Sequence, residues 1–188
     1  MDAATDLGLA ERRHRRFTRQ EYERIAQTGM FEHERVELLH GVIVAMSSIG
    51  PPHSSTVMRL TALLVPLLAG RALVRIQDAF AVLDESEPEP DVAVVPLGEY
   101  DEAHPTEAHL IVEVADSSLR HDRVVKGPIY AAAGVPDYWL VDLTDRVVEV
   151  HRRPGPEGYA RVTRHRRGGR IRLQAFPDLG VRVSDFLR

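Results

Sequence analysis

In some segments apolar positions recur with the spacing of a helix, and in others they recur at every second residue, as in a strand. The sequence therefore predicts a mixture of helices and strands. A capping-box pattern at residues 18–21 begins a helix that Gly29 ends. Residues 35–46 predict two short strands around a turn at His40 and Gly41. The pattern further predicts helices over 53–69, kinked in the last turn by Pro66, and over 119–133; strands over 72–83, 91–95, 110–115, 138–142, 146–151 and 159–173; and a helical turn over 183–187.

The order of these elements predicts an α/β (α+β) fold, a central mixed β-sheet flanked by the helices over 53–69 and 119–133. Residues 110–115 are almost entirely apolar, which is typical of a central strand buried on both faces. The length of 188 residues suits one domain, predicted over 17–188, after a flexible basic arm over 1–16.

The composition excludes several classes of protein. The absence of cysteine excludes a disulfide framework, a zinc–thiolate site, an iron–sulfur cluster and a thiol nucleophile. No apolar run reaches the roughly 18 residues of a transmembrane helix, and the N-terminal residues lack the apolar core of a secretory signal. We therefore expect a cytoplasmic protein with no membrane partner.

The net charge of −4 is unevenly distributed. Residues 1–150 carry a charge of −11, whereas residues 151–172 carry eight arginines, one acid and a charge of +7. Such a segment fits local contact with phosphates, and a solvated strand and turn in an arginine-rich chain is the alternative. The candidate nucleic-acid contacts are Arg161, Arg164, Arg166 and Arg167.

Lys126 is the only lysine among 24 basic residues. Lysine and arginine are nearly interchangeable where solvated, but the lysine ammonium is a compact point charge with different chemistry. Lys126 is therefore a candidate for a chemical role. Asp122 stands four residues earlier and shares its face of the predicted helix, so a surface ion pair is the alternative.

Three acids stand within or beside apolar strands. Glu113 interrupts the central strand, where a buried charge is costly unless it is paired or binds metal. Asp91 begins one strand directly after Pro90, and Glu37 lies in a short apolar strand. Each has an ordinary alternative: an arginine pair for Glu113, a strand cap for Asp91 and a solvent-facing position for Glu37.

Taken together, these residues indicate one chemistry. Carboxylates that converge at strand ends are hard oxygen ligands suited to Mg²⁺ or Mn²⁺. Such an ion lowers the pKa of an attacking water, and a lysine ammonium stabilises charge that develops on a phosphate. Glu37, Asp91, Glu113 and Lys126 thus form a candidate site for phosphodiester hydrolysis.

The sequence also resembles a known family. Pro90-Asp91 followed by Glu113-Val114-Ala115 resembles the PD-(D/E)XK signature of restriction-endonuclease-like nucleases. The longer strings PEPDVAVV, LIVEVADSS and DRVVKGPIYAAAGVPDYWLVD resemble the Uma-two family of putative restriction endonucleases. The preceding VELLHGVIVAMSSIGPPH resembles the hairpin and loop near that family's N-terminus.

This resemblance implies a restriction-endonuclease-like core and a role for each residue. Asp91 and Glu113 would bind the metal, and Glu37 would complete the metal site. Ala115 stands where the signature has lysine, and Lys126 matches the lysine that this family carries on the following helix. In addition, His53 and Gln77 match polar positions near the pocket, with Asp122 beside Lys126; an ordinary helix N-terminal residue is the alternative for His53.

Two departures from the family pattern lie beside the site. The turn after Glu113 contains Ala115, Asp116, Ser117 and Ser118 where the family has a Ser-Pro-Ser-like turn, and Leu-His-Gly-Val replaces an Asp-Gly-Glu-like hairpin turn. Neither departure removes a predicted ligand. The resemblance also implies a homodimer, with Trp139 either packing the sheet or lying in the dimer interface.

The sequence therefore predicts an endonuclease that hydrolyses DNA with Mg²⁺ or Mn²⁺. A non-catalytic module for nucleic-acid or protein binding on the same fold is one alternative, to which the acidic 1–150 region lends some support. A metal-dependent hydrolase of another phosphate ester is the other. Convergence of the acids and Lys126 around one cleft would favour an enzyme.

Overall fold

The computed structural model describes residues 15–188, and these residues form four helical segments and ten strands. The helical segments are α1 (Arg19–Gln27), α2 (Pro51–Leu67), α3 and α4 (Val183–Phe186), where α3 joins Leu119–His121, Asp122–Lys126 and Gly127–Ala132. The strands are β1 (Val36–Leu39), β2 (Val42–Ala45), β3 (Leu73–Ile76), β4 (Val92–Val95), β5 (Leu110–Ala115), β6 (Asp137–Asp142), β7 (Val147–Gly155), β8 (Gly158–His165), β9 (Arg170–Arg172) and β10 (Gly180–Arg182).

Six strands form the central mixed sheet, in the order β3-β4-β5-β6-β7-β8. Only the pairing of β5 with β6 is parallel; the other four pairings are antiparallel. A parallel pair needs a crossover connection, and α3 lies within it. The predicted mixed sheet flanked by helices is confirmed.

The two faces of the sheet carry separate cores. One core joins Val112 and Trp139 to Leu60 and Leu64 of α2 and to the C-terminal β9, β10 and α4. The other core joins Ile111 and Leu140 to residues of α3. Trp139 is fully buried in the first core, so it packs against the sheet and does not lie in an interface. Alternation along β5 turns Glu113 towards the α3 side.

A smaller unit of α1 and the β1–β2 hairpin lies beside the sheet. Tyr22 packs against Val36 and Leu38, and its hydroxyl donates to the Val36 carbonyl. The hairpin turns at His40 and Gly41, both with positive φ, as a two-residue loop of this kind requires. The capping box of Thr18 that begins α1 is confirmed.

Several predicted boundaries need correction. The strand predicted over 72–83 ends at Ile76, because Gln77 has a positive φ of 49° that a continuing strand cannot accommodate. The helix predicted from His53 begins at Pro51, since proline suits the first turn, where its missing N–H has no partner to lose. Pro66 lies inside the last turn of α2, as expected.

The predicted basic arm falls largely on residues 1–14, outside the described residues. Of its last two residues, Arg15 pairs with Glu21 and Arg16 donates to the His40 carbonyl. An exposed connection over 97–104 joins β4 to β5. No helix within residues 15–188 is long and apolar enough to cross a membrane.

Candidate active site

A cleft opens at one edge of the central sheet. Gln77 follows β3, Asp91 precedes β4, and Glu113 lies two residues before the end of β5. Because β4 runs antiparallel to both neighbours, these three positions come to the same edge. The cleft has a volume of about 340 Å³. It is lined by every residue predicted to form or support the site except the arginines, namely Glu37, His53, Gln77, Asp91, Glu113, Asp122 and Lys126.

Lys126 projects from α3 between two glutamates. Its Nζ lies 2.9 Å from Glu37 Oε2 and 3.2 Å from Glu113 Oε1. All three side chains are no more than 6% exposed, so the charges interact with little screening by water. The alternative of a surface ion pair between Lys126 and Asp122 is therefore wrong.

Glu37 reaches the cleft from the β1–β2 hairpin. Alternation along β1 turns Val36 and Leu38 to the small core against α1 and leaves Glu37 on the opposite side. Glu37 Oε2 also accepts the backbone N–H of Glu89 at 3.2 Å. The alternative of a solvent-facing Glu37 is wrong, because the residue is 3% exposed.

Asp91 is held by three neighbours around its carboxylate. Oδ2 accepts the backbone N–H of Val114 at 2.8 Å and lies 3.0 Å from His53 Nε2. Oδ1 accepts the Gln77 side-chain amide at 3.1 Å. His53 and Gln77 therefore contact a candidate ligand directly, as expected for residues that support the site.

The middle of α3 is a π-helical turn, Asp122–Lys126, in which the Gly127 N–H donates to the Asp122 carbonyl. The Tyr138 hydroxyl donates to the same carbonyl at 3.1 Å. Such single-turn insertions are frequent at functional sites. The sequence predicted an uninterrupted helix here, and Gly127-Pro128 was the available signal, since proline removes a helical N–H.

Burial and charge oppose each other in this cleft. Burial raises the pKa of Glu113 well above its ordinary value, and the neighbouring Lys126 ammonium counteracts that rise. Burial alone would lower the pKa of Lys126, but Glu113 and Glu37 outweigh it, so the pKa is raised and Lys126 is a cation. Burial likewise raises the pKa of Asp122, against the Ser118 hydroxyl that donates to it.

The donor chemistry of the cleft fits a hard divalent cation, because Glu37, Asp91 and Glu113 supply only carboxylate oxygens. Among residues 15–188, no three His, Asp or Glu side chains are spaced to hold a metal ion in their present positions. Glu37 and Glu113 are held apart because the Lys126 ammonium lies between their carboxylates.

The four predicted arginine contacts do not line the cleft. Arg161 and Arg164 lie three residues apart on β8 and so face opposite sides of the sheet. Arg164 pairs with Glu149, on the same side as Glu113. Arg166 and Arg167 follow β8 at the edge of the sheet where the cleft opens.

Tyr130 is a site residue that the sequence reasoning missed. Its hydroxyl donates to Glu113 Oε1 at 2.7 Å, the oxygen that also contacts Lys126. Burial raises the pKa of this hydroxyl well above its ordinary value, so it keeps its proton. The spacing along the sequence could have indicated Tyr130, because it stands four residues after Lys126 on one helical segment.

The sheet, its flanking helices and the buried carboxylate–lysine cleft define a restriction-endonuclease-like fold. A match to the Uma2 family, described as "Putative restriction endonuclease", extends over residues 19–184, and the chain belongs to this family. The fold is similar to that in the crystal structure of a putative nuclease belonging to DUF820 from Anabaena variabilis ATCC 29413. That similarity has a TM-score of 0.75 at 15% identity and covers 90% of this chain and 97% of the other. No curated protein matches the sequence.

Proposed function

We propose that this protein is a metal-dependent endonuclease that hydrolyses phosphodiester bonds in DNA. The observation that carries the proposal is the buried Lys126 ammonium, in contact with Glu37 and Glu113 and in one cleft with Asp91. Buried charges are costly and perturbed titratable groups in a cleft are typical of catalytic sites, which favours an enzyme over a binding module. Membership of the Uma2 family supports the same conclusion.

Each residue has a defined part in the proposed reaction. Asp91 and Glu113 would hold Mg²⁺ or Mn²⁺ with Glu37 assisting, in the manner of a PD-(D/E)XK nuclease. The bound ion would supply a more acidic water and charge neutralisation at the phosphate. Lys126 would orient the attacking water and stabilise the negative charge that accumulates on the phosphate. His53 and Gln77 would fix the orientation of Asp91 through their contacts with its carboxylate.

The direct test is cleavage of supercoiled plasmid, single-stranded DNA and RNA by wild type and by Lys126→Ala, with Mg²⁺, Mn²⁺ or EDTA. We expect metal-dependent cleavage of DNA by wild type and a loss of at least 100-fold in the variant, the scale of one electrostatic contact in a transition state. Circular dichroism would show that the variant is folded.

Three other outcomes would contradict parts of the proposal. Cleavage by Lys126→Ala at the wild-type rate would remove Lys126 from the mechanism. Metal binding without cleavage of any nucleic acid would favour another phosphate ester as substrate. Neither cleavage nor metal binding by a folded protein would favour a non-catalytic module.

A cytoplasmic location and a homodimer also belong to this proposal. Light scattering after size-exclusion chromatography would measure the mass of the particle against the 21.1 kDa of one chain. A mass of one chain at micromolar concentration would contradict the homodimer.

A further inference from the structure

We propose that the Lys126 ammonium and a divalent cation compete for the carboxylates of Glu37 and Glu113, so that Lys126 leaves them when the cation binds. The inference rests on the proposed function, in which these carboxylates hold the metal. Lys126 would act as an internal cation that occupies the site in the absence of metal.

The contacts of the glutamates support this competition. Glu37 Oε2 accepts the Glu89 N–H as well as the Lys126 ammonium, and Glu113 Oε1 accepts the Tyr130 hydroxyl as well as the same ammonium. These fixed donors set where the two oxygens point. A cation bound by these two oxygens must therefore approach the region that the ammonium now fills.

Charge leads to the same conclusion. Lys126 is 5% exposed, so its charge acts at short range with little screening by water. A divalent cation between the same carboxylates would lie beside a like charge, which is unfavourable in a poorly solvated site. Because the four-carbon stem of lysine is flexible, the ammonium can move into the open cleft while the backbone stays fixed in α3.

The competition has a consequence for the proposed reaction. An ammonium released from Glu37 and Glu113 is free to face the part of the cleft where a phosphate would bind. Lys126 would then be held in an ion pair without metal and become available to substrate only when the metal is present. Metal binding and positioning of the lysine would be one linked event.

The chain offers an unusually direct measurement, because Lys126 is its only lysine. In protein labelled with ¹³C,¹⁵N-lysine, the side-chain signals in an NMR spectrum come from this residue alone. We expect Mg²⁺ to shift its Cε and Nζ signals, with saturation at the Mg²⁺ concentration that saturates binding measured by calorimetry. If calorimetry shows that Mg²⁺ binds but the lysine signals in the NMR spectrum do not shift, the proposed competition is overturned.

A pair of variants tests the same idea by affinity. Lys126→Met removes the ammonium at similar side-chain length, and we expect it to bind Mn²⁺ at least tenfold more tightly than wild type in calorimetry. Arg123→Met removes the same charge from the same helical segment, where Arg123 pairs with Glu149 instead of the cleft acids. We expect Arg123→Met to change the affinity less than threefold.

Equal effects of the two variants would indicate general electrostatics and overturn the inference, as would unchanged or weaker binding in Lys126→Met. The NMR measurement on wild type decides the question if Lys126→Met does not fold. None of these measurements uses DNA. A protein that binds Mg²⁺, displaces its lysine and cuts no nucleic acid would lose the proposed function while the competition stands.

Discussion

Two buried tyrosine hydroxyls donate hydrogen bonds to groups beside Lys126. Tyr130 donates to Glu113 Oε1, and Tyr138 donates to the Asp122 carbonyl in the π-helical turn that carries Lys126. Both side chains are fully buried, so neither hydroxyl has water as an alternative partner. The groups proposed to act on substrate therefore depend on neighbours that need not touch it.

We predict that Tyr130→Phe lowers kcat for DNA cleavage about tenfold, because Glu113 is a proposed metal ligand and loss of a hydrogen bond to such a ligand typically costs tenfold or more. Plasmid-cleavage kinetics at saturating DNA would measure the effect. Tyr159→Phe is the matched control, since its hydroxyl donates to the Val135 carbonyl away from the acids. Equal losses of kcat in the two variants would mean that the effect is structural.

At the scale of elements, the π-helical turn carries Lys126, whose ammonium contacts Glu37 and Glu113. The turn inserts one residue relative to a regular α-helix, and each residue of an α-helix rotates the next by about 100°. Removing that residue would rotate the side chains that follow the deletion relative to the side chains that precede it. Val124 is 59% exposed and lies within the turn, so its own side chain contributes little to either core.

We therefore predict that deletion of Val124 abolishes cleavage while the far-ultraviolet circular dichroism spectrum stays that of wild type. The deletion would convert the turn to regular α-helix and move Lys126 away from Glu37 and Glu113. Val124→Ala keeps the insertion and should retain wild-type activity. An active deletion variant would show that the turn does not position Lys126.

The contact of α1 with Glu87, which lies in the segment before β4, gives a prediction about pH. Burial, together with the charge of Glu23, raises the pKa of Glu87 from 4.5 to about 7. The folded state thus binds more protons than the unfolded state between these values, and the free energy of unfolding should fall as pH rises through this window. Urea unfolding at pH 5 and pH 7.5 would measure the fall, and Glu87→Gln should make it smaller. An equal fall in the variant would assign the effect to other groups.

Much of the cleft could be predicted from sequence because each acid violates an apolar pattern. Glu113 interrupts a central strand. The following helix has to cover the face of the sheet on which Glu113 lies, and this brings Lys126 near Glu113. The π-helical turn could not be predicted in the same way, because Gly127-Pro128 indicates the loss of one helical N–H and does not by itself indicate a one-residue insertion. The positive φ of Gln77 that ends β3 is likewise a backbone property that the alternating residues 72–83 do not reveal.

Over the whole molecule, the cleft and part of the basic segment share one side of the sheet. The register places Glu113, Leu140, Glu149 and Arg164 in a row across β5, β6, β7 and β8. The Arg164 side chain is 70% exposed, and Arg123 from α3 pairs with the same Glu149. This arrangement fits a DNA backbone that crosses the sheet edge from the cleft towards β8.

We predict that Arg164→Gln weakens DNA binding and reduces the slope of log affinity against log salt by about 1, the effect of losing one phosphate contact. Fluorescence anisotropy with a labelled duplex at several salt concentrations would measure both quantities. Arg161→Gln is the control on the opposite face of β8 and should leave them unchanged. Equal effects from the two arginines would contradict a path on one side of the sheet.

The exposed connection over 97–104 divides the cleft along the chain. Glu37 and Asp91 precede it, whereas Glu113 and Lys126 follow it, and the strands it joins are held together by the sheet. A break in this connection would leave two fragments, each with half of the charged groups. The chain is therefore a natural candidate for a split protein, in which two separately inactive pieces would regain the proposed nuclease activity only when they are brought together.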